Sequence, residues 1–241
     1  MSELQTLIED LVDANHILYR QGIVDGYGHA SVRNPANPER FFMAAAVSPG
    51  RVRKKDIIEL DLDGNIVGGE DRPTYSERFI HAEVYRARAD VHAVIHSHSP
   101  TVIPFSVTDV PLRPIIHGAS FMHTGVPVFN THNVPEATTP LVNSPAIGKA
   151  LVATLGQSSI VLMRGHGNTV VGADIRETVS HAIYAEVNAR LLLQSLALNR
   201  PIDYMNSDEA KVMQGRNVNP GRGSSHGVDR VWQMWVDEVR K

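Results

Sequence analysis

The sequence predicts a single α/β domain, in which amphipathic helices alternate with short apolar strands. Residues 3–21 repeat apolar side chains at the spacing of a helix. Residues 92–97 form a short apolar run typical of a buried strand, and residues 144–155 open on Ser-Pro, which is typical of a helix start. No repeat, low-complexity segment or linker divides the 241 residues, of which 42% are hydrophobic, so one domain over residues 1–241 is expected.

The first part of the chain predicts short strands followed by one helix. Residues 26–60 carry short apolar pieces and turns, which favour strands. Asp63-Gly64, between two apolar runs, is typical of a hairpin turn. A helix is predicted over residues 76–89, with Ser76 as its N-cap.

The second part of the chain predicts further strands and three helices. Asp174 is expected to cap a long helix that ends near Asn199. The polar segment 201–227 is rich in glycine and asparagine, and it is interpreted either as a mobile lid or as a segment that lies against a neighbouring subunit. The remaining predicted elements are strands at 114–117, 126–129, 159–163 and 168–172 and helices at 144–155 and 228–240.

Composition excludes several classes of protein. The net charge is −3 with histidine neutral, and no basic stripe stands out, so no nucleic-acid partner is expected. The chain has no cysteine, which excludes disulfides, thiolate metal sites and a cysteine nucleophile, and fits a reducing cytoplasm. Met1 is followed by neither a positive region nor an apolar one, so no secretory leader is predicted. No apolar run approaches the length that spans a membrane.

The most informative motif is a pair of histidines at the end of the apolar run, His96 and His98. Alternate residues of a strand point to one face, and their Cβ atoms lie roughly 6.5–7 Å apart, close enough to bind one metal ion. His166, between two glycines after a second strand, is the expected third ligand. Three histidines leave metal positions open for water or substrate, which favours catalysis over a structural ion. A pair of ordinary hydrogen-bonded histidines at a strand end is the less favoured alternative.

Two further features have both a structural and a functional interpretation. Glu77, at the predicted helix start, is either an acid favoured by the helix dipole or a carboxylate near the metal that moves a proton. The residues alone leave these two evenly balanced. The turns Gly26–Ser31 and Val47–Gly50 are either ordinary loops or a cradle of backbone N–H groups for an anion.

Four more polar residues are candidates for a substrate pocket. His117 and His123 flank a short segment, and each is either a proton donor or a polar lining residue, with lining favoured for His123. Arg216 and Arg222, in the polar segment, are either substrate carboxylate ligands or, more commonly for arginine, solvated side chains.

Taken together, these motifs resemble the class II aldolase/adducin family over roughly residues 5–200. Each motif is modest alone, and their common order makes the resemblance specific. They are Gly28-His-Ala-Ser-Val-Arg33, Val47-Ser-Pro-Gly50, Ser76-Glu77, His96-Ser-His98, Gly165-His-Gly167 and the helix from Glu177 through Tyr184–Arg190.

The resemblance implies a three-layer α/β/α sandwich around a mainly antiparallel sheet. It implies a homotetramer with active sites at subunit interfaces, and a Zn, Mn, Fe or Co ion bound by His96, His98 and His166. It makes Glu77 a resting metal ligand or an acid/base, and His117 a second catalytic candidate. The substrate-binding residues that it implies are Gly28, His29, Ser31, Ser48, Gly50 and Ser76.

The chain departs from the family's sugar-phosphate aldolases in the two turns. His29 stands where their Gly-Asn-x-Ser motif has asparagine, and Ser48-Pro49-Gly50 lacks their threonine-rich turn. The Gly-His-x-Ser form resembles the branch that decarboxylates hydroxylated aromatic or pyridine dicarboxylates, so a small-molecule carboxylate is the expected substrate. The alternatives are an aldolase acting on a hydroxy-carbonyl or sugar-phosphate compound and a non-enzymatic, metal-stabilised binding module. Adducin-like members lack the metal histidines, which disfavours the last.

Overall fold

The computed structural model describes residues 2–69, 71–217 and 224–241, without the side chains of residues 215–227. Seven strands within these ranges form one sheet. The strands are His29–Arg33 (β1), Arg40–Ala44 (β2), Ile57–Asp61 (β3), Ala93–Ser97 (β4), Val128–Phe129 (β5), Ile160–Met163 (β6) and Gly167–Gly172 (β7). The α-helices are Glu3–Arg20 (α1), Arg78–Ala87 (α2), Pro145–Leu155 (α3), Ile175–Ala197 (α4), Ser207–Asn217 (α5) and Ser224–Val239 (α6).

The sheet has the strand order β3-β2-β1-β4-β7-β6-β5 and is antiparallel except for the β5–β6 pair. Its two faces carry two separate hydrophobic clusters because successive strand residues point to opposite sides. On β4, for example, Ile95 packs with α1 and α4, whereas Val94 packs with α2 and α3. The predicted α/β sandwich around a mainly antiparallel sheet is therefore confirmed.

Two predicted elements differ from the structure at the start of α2 and before α4. The helix predicted over 76–89 begins at Arg78, and Glu77 rather than Ser76 is its N-cap. The prediction of a strand over 114–117 is wrong. The backbone there forms hydrogen bonds with the side chain of Asn188 in α4 and not with a neighbouring strand. Asn188 accepts the N–H of Ile115 at 2.9 Å and donates to the carbonyl of Arg113 at 2.9 Å.

The polar segment is more regular than its composition suggests. Asn206 caps helix α5 by accepting the N–H groups of Asp208 and Glu209, and helix α6 begins four residues before the predicted start. The interpretation of residues 201–227 as a lid or a neighbour contact stays a prediction, and residues 218–223 of that segment fall outside the described residues. No helix in the described ranges is long and apolar enough to cross a membrane.

Candidate metal centre

The centre of the sheet places three histidines together. His96 lies on β4 between His29 of β1 and Thr169 of β7, and His98 follows two residues later, just beyond the strand end. His166 lies in the tight turn that joins β6 to β7. Glycine is required beside it, since a Cβ on Gly167 would lie 2.0 Å from the carbonyl oxygen of Ser97. This close approach holds the β6–β7 turn against the end of β4.

The ligand atoms of four side chains converge at this point. The Nε2 atom of His98 lies 3.3 Å from Nε2 of His96 and 3.2 Å from Nε2 of His166. Oε2 of Glu77 lies 3.5 Å from Nε2 of His96 and 3.4 Å from Nε2 of His166. All four atoms fall within 4.8 Å of one another. Three imidazoles and one carboxylate are thus arranged around one point.

Each histidine uses its other ring nitrogen for a second contact. Nδ1 of His96 donates to the carbonyl of Asn168 at 3.0 Å, and Nδ1 of His166 donates to the carbonyl of Pro140 at 3.2 Å. Nδ1 of His98 donates to the carboxylate of Asp25 at 3.1 Å. A neutral imidazole carries one N–H, so these contacts leave all three Nε2 atoms as lone pairs. Such outer contacts are typical of metal-binding histidines.

The centre fits a divalent cation. Three lone pairs and a carboxylate within 4.8 Å of one another repel unless a positive charge lies among them. Imidazole and carboxylate donors suit Zn, Mn, Fe or Co, and a set of this kind leaves a coordination position for water or substrate. The structure therefore brings together the three predicted histidine ligands, His96, His98 and His166. Glu77, which the resemblance makes a resting ligand or an acid/base, lies beside them.

Without an ion, the surroundings favour the metal-binding protonation states of His96 and Glu77 and oppose that of His166. Burial lowers the pKa of His96 to about 4, which keeps this imidazole neutral. Burial raises the pKa of Glu77, but His166, His96 and the N–H of Val142 outweigh it and bring the net pKa to about 2. Burial lowers the pKa of His166, but the neighbouring Glu77 carboxylate outweighs it and the net pKa is raised. Glu77 is thus held ionised beside the histidines.

Glu77 occupies the N-cap position of α2, but its side chain makes no capping hydrogen bond because both carboxylate oxygens are used elsewhere. Its Oε1 atom accepts the backbone N–H of Val142 at 2.8 Å, from the segment before α3. Its Oε2 atom faces the histidines. No side-chain hydrogen bond caps α2 as a result. The two oxygens have separate roles, one anchored to the protein and one directed at the centre.

The segment Gly28–Ser31 lies beside the centre, and from His29 onward it is strand β1 and not the predicted turn. Gly28 allows β1 to start close to β4, since a Cβ there would lie 2.6 Å from Val24 and 3.1 Å from the carbonyl oxygen of His96. The His29 ring lies 5.1 Å from the His96 ring, between centroids. Ser31 is fully buried, so any influence on substrate passes through its neighbours.

The other predicted substrate residues lie in exposed turns. Ser48 borders a cavity of about 430 Å³ that Arg51, Arg53 and Lys55 also line. Gly50 packs on α1, where a Cβ would lie 2.6 Å from the ring of Tyr19. Ser76 is exposed and makes no hydrogen bond that the described residues provide.

The remaining candidates lie away from the centre of this single chain. His117 lines a separate cavity of about 900 Å³ with Tyr204 and Asp203, and no hydrogen bond or ring contact among the described residues joins it to the centre. Nδ1 of His123 lies 3.1 Å from the carbonyl of Ser120, which fits a lining role. Arg222 lies outside the described residues, as does the side chain of Arg216.

Sequence reasoning missed several residues that support the centre. Asp25 orients His98, and the Asn168 carbonyl orients His96. His81 and Tyr85, on α2, lie behind His29 and are fully buried or nearly so. Both residues lie on the buried face of α2, and nothing in the sequence pattern distinguishes them from ordinary core residues. Asp25 lies 73 positions from His98, a separation at which spacing carries no information about contact.

Asp25→Asn is expected to weaken metal affinity by about 10- to 100-fold, because the carboxylate that fixes the His98 tautomer and raises its basicity is lost. Partial burial raises the pKa of Asp25, but the N–H of Tyr27 and the ring of His98 outweigh it, so the carboxylate is ionised. The affinity is measured by competition with a coloured chelator. Asp71→Asn, at an exposed position, is the matched control. Equal affinities of the two variants would exclude this role for Asp25.

Comparison with known proteins agrees with this centre and fold. Residues 9–193 match the family described as Class II Aldolase and Adducin N-terminal domain. The chain belongs to this family.

Individual relatives extend the match over nearly the whole chain. The chain is 33% identical to "Decarboxylase tropJ" of Talaromyces stipitatus, over 96% of this chain and 93% of that protein. It is 29% identical to the 3,4-dihydroxyphthalate decarboxylase of Arthrobacter keyseri, over 94% of each. An aldolase II superfamily protein from Pseudomonas syringae shares the fold, with a TM-score of 0.78 at 22% identity over 97% of this chain and 92% of that one. The family and the names of its decarboxylases and aldolases confirm the prediction of a lyase.

Proposed function

We propose that this lyase is a divalent-metal decarboxylase of a hydroxylated aromatic or pyridine dicarboxylate, such as a dihydroxyphthalate or a hydroxy-methylpyridine dicarboxylate. One observation carries the proposal: an imidazole, His29, borders the three-histidine centre at the place where sugar-phosphate aldolases of the family have asparagine. A neutral imidazole offers a carboxylate a single N–H donor, whereas a phosphate dianion needs several donors. The decarboxylase names of two full-length relatives support the same substrate class.

In this proposal His96, His98 and His166 would hold the ion, and Oε2 of Glu77 would be a further ligand only until the substrate displaces it. When bound, a divalent cation acts as a Lewis acid for negative charge on a substrate oxygen. His29 binds the substrate carboxylate. Glu77, held ionised, accepts the proton of the ring hydroxyl at Oε2 and returns it to the ring carbon that bears the carboxylate. The carbon–carbon bond then breaks, its electron pair returns to the ring, and CO₂ leaves. The product oxygen, left as a phenolate, takes a proton from water, so that overall one carboxylate is exchanged for one proton.

The alternative is a class II aldolase, which one feature of the structure favours. The cavity of about 430 Å³ beside Ser48 is lined by Arg51, Arg53 and Lys55 and by the carboxylate of Asp56. The net charge of this lining is positive, which suits a phosphate group. Cleavage next to a carbonyl also needs a Lewis acid and one positioned proton carrier, so the same centre serves either reaction. The substrate pocket, and not the metal ligands, would then decide the chemistry.

The assembly completes the proposal. Within one chain, His117 lies away from the centre, in a separate cavity. In a homotetramer with active sites between subunits, residues of a neighbouring subunit would reach the centre. In such an assembly His117 is a catalytic candidate that acts across the interface. Gly28, Ser48, Gly50 and Ser76 are proposed to form the substrate-binding turns, and the cytoplasm is the proposed location.

Assays of product should show CO₂ release from an ortho-hydroxy aromatic dicarboxylate and little cleavage of fuculose- or ribulose-type phosphates. His29→Ala should weaken turnover of the aromatic acid. The metal content should not change, because the side chain of His29 makes no hydrogen bond to any of the proposed metal-binding residues. His132→Ala, on the exposed surface, is the matched control. If a sugar phosphate proves to be the far better substrate, the decarboxylase proposal fails and the aldolase alternative takes its place.

A further inference from the structure

A chain of four buried polar side chains runs from the metal centre into the core. Nδ1 of His29 lies 2.7 Å from Nε2 of His81, and Nδ1 of His81 lies 2.6 Å from Oγ of Ser31. Oγ of Ser31 lies 2.7 Å from the hydroxyl of Tyr85. His29 and Tyr85 are each 2% exposed, and His81 and Ser31 are 0% exposed. Each of the three contacts holds one proton, and geometry alone allows the protons to point in either direction.

Tyr85 fixes the direction of the chain. Among the described residues, Oγ of Ser31 is the only hydrogen-bond acceptor that its hydroxyl reaches. The other group beside the Tyr85 oxygen is the backbone N–H of Val94, which can only donate. A buried hydroxyl proton without an acceptor costs about 1–3 kcal/mol. The Tyr85 hydroxyl therefore donates to Ser31.

The remaining protons follow from this first bond. Ser31 is fully buried, and His81 is the only other group among the described residues that its hydroxyl reaches. Its proton needs an acceptor, so Ser31 donates to Nδ1 of His81. His81 then carries its proton on Nε2 and donates it to Nδ1 of His29. Burial lowers the pKa of His81 to about 3, which agrees with a neutral ring that has one donor and one acceptor. His29 is left with its proton on Nε2.

Nε2 of His29 is the end of the chain and is open to a ligand. It has no hydrogen-bond partner among the described residues. Among the described residues, only Nδ1 of His181 is both inaccessible to solvent and without a hydrogen-bond partner. Nε2 of His29 also lacks a partner, so it must be accessible to solvent. The His29 ring also packs 4.6 Å from the ring of Tyr75, which holds its plane.

We infer that Tyr85, Ser31 and His81 fix the tautomer of His29, so that Nε2–H is a permanent hydrogen-bond donor at the metal centre. His29 then selects a ligand with an acceptor at that point, a carboxylate oxygen, and disfavours a hydroxyl that must donate. Tyr85, Ser31 and His81 are positioning residues that act through His29. The inference rests on the proposed function only where it names the carboxylate as the acceptor.

Neutron diffraction from crystals of the perdeuterated, zinc-loaded protein tests the direction of the chain without any variant. Deuterium is expected on Nε2 of both His81 and His29, with the Tyr85 deuteroxyl directed at Ser31. Deuterium on Nδ1 of these two histidines would overturn the inference. This outcome does not depend on the reaction, so a failure of the decarboxylase proposal and a failure of the tautomer assignment are distinguishable.

Tyr85→Phe tests the consequence for substrate. Loss of the terminal donor frees Ser31 to rotate and lets His29 adopt either tautomer, so KM for the aromatic dicarboxylate should rise about 3- to 10-fold, the effect expected when a hydrogen bond to a charged group is weakened. The metal content should not change. Ser31→Ala interrupts the same chain at another point and should give the same rise in KM. A fall in thermal stability with KM unchanged in both variants would mean that the chain is only structural.

Discussion

His96→Ala is expected to abolish metal content and activity together. The mutation removes one of three converging Nε2 atoms from a fully buried position in the middle of the sheet. His98→Ala should have the same effect, because Nε2 of His98 lies between the Nε2 atoms of His96 and His166. Metal content is measured by elemental analysis of the purified protein, and activity by CO₂ release. The matched control is His92→Ala, which removes an exposed imidazole just before the same strand.

The two measurements must fall together for the centre to be catalytic. A variant that loses its metal and keeps its turnover would make the ion structural. A variant that keeps both would mean that His96 is only a hydrogen-bonded histidine at a strand end, the alternative that its sequence position leaves open. The control should retain both, since His92 lies outside the group of ligand atoms.

Glu77→Gln is expected to reduce turnover by about 10²- to 10⁴-fold, the range of acid–base catalysis, while the protein still binds metal. The amide keeps the shape of the side chain, and its oxygen can still accept the N–H of Val142 or face the ion. It cannot take up and release a proton. Single-turnover rates at saturating metal separate this effect from a loss of affinity.

Glu136→Gln is the control for this experiment, since Glu136 is an exposed carboxylate. Near-normal turnover in Glu77→Gln would reduce Glu77 to a ligand or an anchor for Val142. Loss of metal even at saturating concentration would show that the carboxylate serves binding first. Either result would remove Glu77 as the proton carrier of the proposed reaction.

The parts of the fold that the sequence predicts are those set by local periodicity. Apolar spacing in α1 and the Ser144-Pro145 start of α3 appear in the structure as expected. The pair His96 and His98 is predictable because alternate strand residues share a face. The strand proposed at 114–117 fails because Asn188, more than seventy residues away, supplies the backbone partners there.

The supporting residues of the centre depend on tertiary contacts and leave no local pattern. Glu77 follows Ser76, the type of residue that usually caps a helix, yet the helix begins one residue later because Glu77 turns toward the histidines. Asp25 meets His98 only when β1 and β4 pair. His81 and Tyr85 lie on the apolar face of α2, and their polar atoms find hydrogen-bond partners only when the fold brings them to Ser31.

Removal and return of the metal test the central claim most directly. The purified protein is stripped with a chelator, then titrated separately with zinc, manganese, iron and cobalt, and CO₂ release from an ortho-hydroxy aromatic dicarboxylate is followed together with bound metal. Turnover should disappear on stripping and return in proportion to bound metal, with a plateau at about one ion per chain. Full turnover by metal-free protein would contradict the account.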